Sequence, residues 1–403
     1  MLTVLLLLVL GGCLLAVCYT YLFYPTYVIG RAERRRGLRA RPPVQGKGQE
    51  SGGNWPPVAV LMAAHNEEKV IALKLATLAA QDYPGPLHFL VGSDNSTDAT
   101  NDILTEWANR DERFTARLFT ERRGKPGIIN ELAAAAADSA IFVITDASVM
   151  LRPNVVTELV RPFRKDYRVG VVDATMVQTG AAAAGIGRTE AGYIDREVRL
   201  KRAEGELWGT MVGPFGGCWA LRAAAFRPVP PNFLVDDFYL CLAAYDRGYR
   251  GVSSPAAIVE EGVGQDLSAE FRRKVRIGAG NWQNLVCFRR LLWPPTRSRL
   301  AFAVWSHKIL RWWTPFFMLL GGACALGLVV ILGNHWAGRL LLILLLLPPA
   351  AVLLDVALAA AGVHLRPLRS FRYFLAMNAA LLVGFSRYLT GIKSNVWQPS
   401  QRH

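Results

Sequence analysis

Carboxylates follow directly on apolar runs at four places in this chain. Val60–Glu68 reads V-L-M-A-A-H-N-E-E, Ser93–Asp98 reads S-D-N-S-T-D, Thr145–Ser148 reads T-D-A-S, and Val235–Phe238 reads V-D-D-F. An apolar run that ends in polar residues is the pattern of a buried strand opening into a loop. The carboxyl ends of strands are where open α/β sheets bind ligands. Carboxylates gathered there can do two kinds of work: one takes a proton from an attacking hydroxyl, others hold a divalent cation through hard oxygen. Gly124-Lys125-Pro126-Gly127 adds an ammonium beside a turning backbone, although the P-loop pattern G-x-x-x-x-G-K-[ST] is absent. A lysine at the positive start of a helix is electrostatically disfavoured, so Lys125 is expected to have an anionic partner.

Each cluster also has a plainer reading. Asn66 and Glu67 suit the first turn of a following helix. S-D-N-S-T-D can be an Asx turn, with Asn95 in the left-handed backbone region and Asp98 capping the next helix. Asp236 and Asp237 are both acceptable as helix N-terminal acids.

The elements that must position these groups alternate. Val58–Ala63, Leu87–Gly92, Phe114–Leu118 and Ile141–Ile144 read as strands; 69–81, 97–110 and 125–137 read as helices. Such alternation predicts a mainly parallel, three-layer α/β domain. Residues 41–55, rich in Gly, Pro and Gln, read as a linker.

Hydropathy brackets that domain. Leu2–Tyr24 is nearly uncharged and long enough to span about 30 Å of hydrocarbon. It lacks the basic n-region and small-residue cleavage site of a signal peptide. Arg31, Arg34, Arg35, Arg36, Arg39 and Arg41 follow it, which places the next segment in the cytoplasm. Thr314–Gly333 and Leu340–Gly362 each suit one crossing. Asp355 within the second is costly in hydrocarbon, and is expected near a helix end or facing another helix. Phe374–Leu389 carries Asn378 and Arg387; a fourth crossing would put Lys393 and Arg402 outside, so an interfacial or re-entrant helix is expected. Ala301–Trp313 alternates His307, Lys308 and Arg311 with Trp305, Ile309, Trp312 and Trp313. That suits a helix in the headgroup plane, with packing on the soluble domain as the alternative. The chain therefore divides into an anchor (1–30), a basic linker (31–57), the α/β domain (58–290), an interfacial helix (291–313), a transmembrane hairpin (314–362) and a last membrane or interfacial helix with its tail (363–403).

The formal net charge of +15 is largely juxtamembrane arginine, which anionic lipid explains better than nucleic acid. No pair among the six cysteines has metal-ligand spacing, so neither zinc nor a disulfide framework is expected.

The stretch from Val58 to about Asn284 resembles a family-2 glycosyltransferase of GT-A fold, a Rossmann-like α/β domain. With its apolar flanks it resembles the membrane-integrated branch that includes hyaluronan, chitin, cellulose and poly-N-acetylglucosamine synthases. The resemblance implies a nucleotide-sugar donor, most simply a UDP-sugar, with Glu67 and Asp94 against base and ribose and Lys125 at the diphosphate. Asp146 would carry Mg²⁺ or Mn²⁺, with Ser148 standing where the D-x-D motif has its second acid. Asp237 would be the catalytic base, with Asp236 and Trp219 on the acceptor side. Arg273 and Arg276 match the Q/R-x-x-R-W element, Arg276 binding diphosphate; Ile277 replaces the tryptophan, a place Trp282 could take. The tail Asn395-Val396-Trp397 with Arg402 resembles one that folds back towards the donor. The implied activity is inverting transfer to a polysaccharide or lipid-linked acceptor at a bacterial inner membrane, with the catalytic domain cytoplasmic. Three or four crossings are few for a polymer channel; a homo-oligomer or export partner could supply more. The rival is a non-catalytic membrane scaffold or sugar sensor, favoured by the missing acid and tryptophan and opposed by the retention of Asp94, Asp146, Asp237 and Arg276.

Overall fold

The computed structural model describes residues 1–39, 54–179, 186–262 and 267–396. Among the described residues, eight strands form one sheet: β1 (Val58–Ala64), β2 (Leu87–Asp94), β3 (Phe114–Phe119), β4 (Ile141–Asp146), β5 (Val149–Leu151), β6 (Val169–Thr179), β7 (Cys218–Arg222) and β8 (Arg250–Gly262). Their order is β3-β2-β1-β4-β7-β6-β8-β5. The first half, β3 to β4, is parallel as expected. The second half is mixed, because β7 runs antiparallel to both β4 and β6, and β5 antiparallel to β8.

Every residue of β1 is buried, as a parallel strand covered by helices on both faces requires. Ala59, Leu61 and Ala63 face one core, with Ile128, Ile129 and Leu132 from the helix Gly124–Ala135. Val58, Val60 and Met62 face the other, with Ile71, Leu75 and Leu78 from the helix Ile71–Ala79. Each fully buried aliphatic side chain contributes about 1.5–3 kcal/mol, so the strand ends bearing the carboxylates rest on a rigid support.

Among the described residues, three helices are long and apolar enough to cross a membrane: Leu2–Leu38, Arg299–Leu332 and Trp336–Ala360. The helix Arg366–Leu389 packs along the helix Leu267–Cys287 instead. A Cβ built on Gly384 would lie 2.8 Å from the Val275 carbonyl, so the two backbones touch. Asp355 does face another helix, where Arg372 Nε pairs with it at 3.0 Å.

Two expectations need correction. The basic linker begins later than residue 31, because the first helix continues to Arg39. Its charges are used in pairs with a helix of the α/β domain, Arg36–Glu206 at 2.7 Å and Glu33–Arg199 at 2.9 Å. Residues 301–313 are the opening turns of a helical run that goes on into the crossing, not a separate helix in the headgroup plane. Their basic face turns inward. His307 sits between Glu204 (Nδ1–Oε1, 2.8 Å) and Glu197 (Nε2–Oε1, 2.7 Å), and Arg311 reaches Glu197 Oε2 at 2.8 Å. Lys308 also binds Glu197. Burial alone would raise Glu197, but His307, Lys308 and Arg311 beside it hold its carboxyl well below the usual range. Two buried acids on the helix ending at Trp208 therefore decide which way the basic face points. Tyr24 of the first helix joins them, its hydroxyl donating to Glu204 Oε1 at 2.8 Å.

Candidate active site

The loops after β1 and β2 are knitted together. Asn66 and Asn95 both take positive φ (53° and 55°), the conformation expected of Asn95 and one that Asn tolerates best after Gly. Asp98 accepts the amides of Thr100 (3.0 Å) and Glu68 (3.1 Å), so it caps the next helix and also clamps the first loop. Burial pushes Asp98 up, yet these bonds hold its carboxyl below the usual range. Glu67 is half-buried between the two loops, its amide donating to the Thr100 hydroxyl at 2.9 Å.

Asp94 is fully buried at the end of β2. Its Oδ1 accepts the Arg123 amide at 2.6 Å, and its Oδ2 accepts the Gly124 amide and Arg122 Nε, both at 3.1 Å. Arg122 also meets His65 Nε2 at 2.6 Å. Asp94 thus ties the start of the helix Gly124–Ala135 to β2, and a donor base would have to exchange with Arg122 to reach it. Asn130, one turn along, is taken up with the Val229 backbone at 2.9 Å through both its amide groups.

Lys125 finds its anionic partner inside the protein: its Nζ lies 2.6 Å from Asp146 Oδ1 at the end of β4. Burial would lower this lysine, but Asp146, Asp236 and Asp237 outweigh it and raise it. Behind Asp146 lies Lys74, fully buried, with Nζ 2.8 Å from the Thr145 hydroxyl and 2.5 Å from the Val149 carbonyl. It braces the β4–β5 turn, and burial pulls it down to about 8. Ser148 in that turn approaches Glu261 of β8, Oγ to Oε1 at 3.5 Å.

Asp236 and Asp237 open the helix Asp236–Asp246. Burial, then the neighbouring Asp236, pushes the Asp237 carboxyl up to about 6, against the pull of Lys125. Asp236 is buried, and its Oδ2 has no hydrogen-bond partner among the described residues. Arg276 donates to the Leu234 carbonyl at 3.1 Å, within the field of Asp236, Asp146 and Asp237. The loop before β7 closes over Asp237. Gly216 has φ +80°, and a Cβ there would lie 2.4 Å from Asp237 Oδ2, so only glycine fits. Three buried side chains hold that loop: Glu204 accepts the Val212 amide (3.3 Å), Asp173 the Phe215 amide (3.1 Å), and Tyr245 donates to the Met211 carbonyl (2.5 Å). Lys201 supports it, 3.8 Å from Asp173 and 3.7 Å from the Phe215 ring centroid.

The structure brings Asp94, Lys125, Asp146, Asp236, Asp237 and Arg276 to one end of the sheet, with Glu67 and Ser148 on the flanking loops. Two expected acceptor residues go elsewhere. Trp219 is 0% exposed, paired in β7 between Ile144 and Asp173, so it is core and offers no face to a sugar. Trp282 packs among Phe385 (4.7 Å between centroids), Trp313 (6.3 Å), Phe316 and Tyr388 (both 6.4 Å), as part of the helix pairing. The tail does approach the site: Asn395 lies against Gly124, where a Cβ would be 2.3 Å from its Oδ1. Trp397 and Arg402 lie outside the described residues. Lys74, Arg122, Asp173, Lys201 and Glu261 were not singled out from sequence. A lysine in an otherwise apolar helix was the one local signal, at Lys74.

Residues 59–229 match the family described as glycosyl transferase family 2. A probable glycosyltransferase of Bacillus subtilis is 26% identical over 268 residues, 64% of this chain and 62% of that protein. An N-acetylglucosaminyltransferase of Mesorhizobium japonicum is 26% identical over 271 residues, 62% of each chain. The chain thus spans about three-fifths of the length of these two relatives. A β-monoglucosyldiacylglycerol synthase of Nostoc is 32% identical over 127 residues, 31% of this chain and 27% of that one. Among solved structures, a mannosyltransferase from Pyrobaculum calidifontis in complex with GDP-Man and Mn²⁺ superposes with a TM-score of 0.65, covering 94% of this chain and 99% of that one at 22% identity. The fold is therefore shared along nearly the whole chain. Residues 59–229 thus form a domain that matches glycosyl transferase family 2, on a GT-A-type sheet that carries the expected acids at one end.

Proposed function

We propose that this protein transfers a sugar, with inversion, from a nucleoside-diphosphate donor to an acceptor hydroxyl at a membrane surface. The observation that carries this reading is the convergence on Lys125. An ammonium at a helix start is bonded to the acid of β4 and lies in the field of both acids at the head of a third element. A donor diphosphate would compete with Asp146 for that ammonium and draw on Arg276 as well, since guanidinium pairs well with phosphate oxygens. Asp146 is 39% exposed at its side chain, and with the Ser148 hydroxyl it offers the hard oxygen that Mg²⁺ or Mn²⁺ takes. When bound, such an ion stabilises charge on the departing diphosphate.

Asp237 does the proton chemistry. With its carboxyl near 6, it is ionised at neutral pH yet basic enough to accept a proton. The acceptor oxygen bonds to the anomeric carbon as the bond from that carbon to diphosphate breaks; its proton passes to Asp237, and the nucleoside diphosphate leaves. Gly216 leaves room beside Asp237 for the approaching hydroxyl.

A UDP-sugar is the donor expected from the family resemblance. Uracil, through its imide N–H, and guanine, through its lactam N–H, can both donate to a carboxylate such as Asp94, and the Pyrobaculum mannosyltransferase holds GDP-Man. The acceptor expected from the family resemblance is a polysaccharide or lipid-linked acceptor, and the Nostoc relative is named for a glucosylated lipid. The arginines after the first crossing put the catalytic domain on the cytoplasmic face. Nucleotide release by detergent-purified protein against a panel of UDP- and GDP-sugars, with Mg²⁺, Mn²⁺ or chelator, tests this. Turnover of one donor that Asp237→Asn abolishes is expected. Equal silence of wild type and variant across the panel, with both folded, would refute it.

A further inference from the structure

The D-x-D position of this chain holds one acid and a serine, yet a carboxylate stands beside that serine. We propose that Glu261 supplies the second carboxylate of the divalent-cation site, in place of the acid that Ser148 lacks; this rests on the transferase reading above. Glu261 is placed by the sheet, not by a loose loop. β5 and β8 pair antiparallel with Val149 opposite Glu261, so the residue before Val149 is brought alongside Glu261 itself. Successive side chains on a strand point to opposite faces, and Glu260 turns away to bind Arg152 at 3.0 and 2.9 Å. Glu261 therefore takes the face of Val149, its opposite number, and its Oε1 comes to 3.5 Å from the Oγ of Ser148 in the adjoining turn. Val259 in the same strand is fully buried and anchors it.

The donor set suits the ion. Asp146, Ser148 and Glu261 give two carboxylates and a hydroxyl, all hard oxygen, which Mg²⁺ and Mn²⁺ favour. Asp146 already attracts a cation, since the Lys125 ammonium is held against it at 2.6 Å. A serine reaches about two bonds less far than a glutamate. The longer side chain from the neighbouring strand can therefore place its oxygen where a short acid at position 148 would have put one, and the charge of the site is restored.

Mn²⁺ binding to the full chain in detergent, measured by electron paramagnetic resonance with saturating UDP and separately with GDP, tests this. Glu261→Gln should weaken Mn²⁺ binding by about tenfold or more. Ser148→Ala should cost much less, and Ser148→Asp in the Glu261→Gln background should restore affinity. Unchanged melting and metal-free nucleotide binding serve as the folding control. Wild-type Mn²⁺ affinity in Glu261→Gln would overturn the proposal alone. So would an equal loss in Ser148→Ala, which would mean that Glu261 acts only through the serine. A wild type that binds nucleotide but takes up no Mn²⁺ would remove the cation site while sparing the donor site. One that binds neither nucleotide would sink the transferase reading itself.

Discussion

Asp237→Asn should make the protein slower and more stable at the same time. Burial and Asp236 push the Asp237 carboxyl to about 6 from an ordinary value of 3.8. The gap is about two pH units, each worth about 1.4 kcal/mol, so the ionised group costs the fold up to about 3 kcal/mol. Above pH 6 it is charged in folded and unfolded chains alike, and the whole cost is present. Between pH 6 and 4 the folded protein takes up its proton first and the cost shrinks; below 3.8 it is gone. Asparagine is neutral throughout, so its advantage is largest above pH 6 and fades as pH falls to 4. Solvent at a partly open site screens part of the effect, leaving a gain on the order of 1–3 kcal/mol, or roughly 2–8 °C in melting midpoint. Melting of both proteins in detergent at pH 8 and pH 4.5 measures it. Loss of the base should lower turnover by about 10²–10⁴. The wild-type rate should fall below about pH 6, as Asp237 takes up its proton. A variant that keeps wild-type turnover, or is no more stable at pH 8 than at pH 4.5 relative to wild type, would refute the reasoning.

Gly216→Ala would drive a methyl into Asp237 Oδ2, 2.4 Å away. Turnover should drop by about 10², while calorimetry finds nucleoside-diphosphate binding intact. Lys125→Ala should weaken nucleoside-diphosphate affinity by about 10–100-fold, the worth of a hydrogen bond to a charged group, again read by calorimetry. Trp219→Ala should destabilise by about 3–5 kcal/mol as a core truncation, and product analysis should show no selective loss for any acceptor. Tyr24→Phe removes a buried donor from Glu204 and should cost about 1–3 kcal/mol in melting. That loss would show that the first apolar helix is part of the scaffold of the α/β domain.

Much of the site was legible because the strands that carry it are apolar runs with polar ends. β1, β2 and β4 each stop at the acid that the sequence singled out, or within a few residues of it. Asn95 and Asp98 were legible for a local reason, since turn and cap chemistry depends on neighbours in the chain. Trp219 was not, because a tryptophan after two glycines has the same local pattern on either face of a strand. Its pairing between Ile144 and Asp173 buries it. The basic face of 301–313 was visible, but what covers it was not. Its partners, Glu197 and Glu204, lie more than 100 positions earlier.

The sequence by itself determined the class of fold, the acids at the strand ends and the three apolar helices, all properties of short windows. Tertiary structure alone decided that β7 runs backwards and that Lys125 answers to Asp146. It also decided that Glu261 meets Ser148 and that buried Glu204 ties the first apolar helix to the loop before β7. Each of these joins residues far apart in the chain, and local periodicity carries no information about which distant partner a strand or a charge will meet.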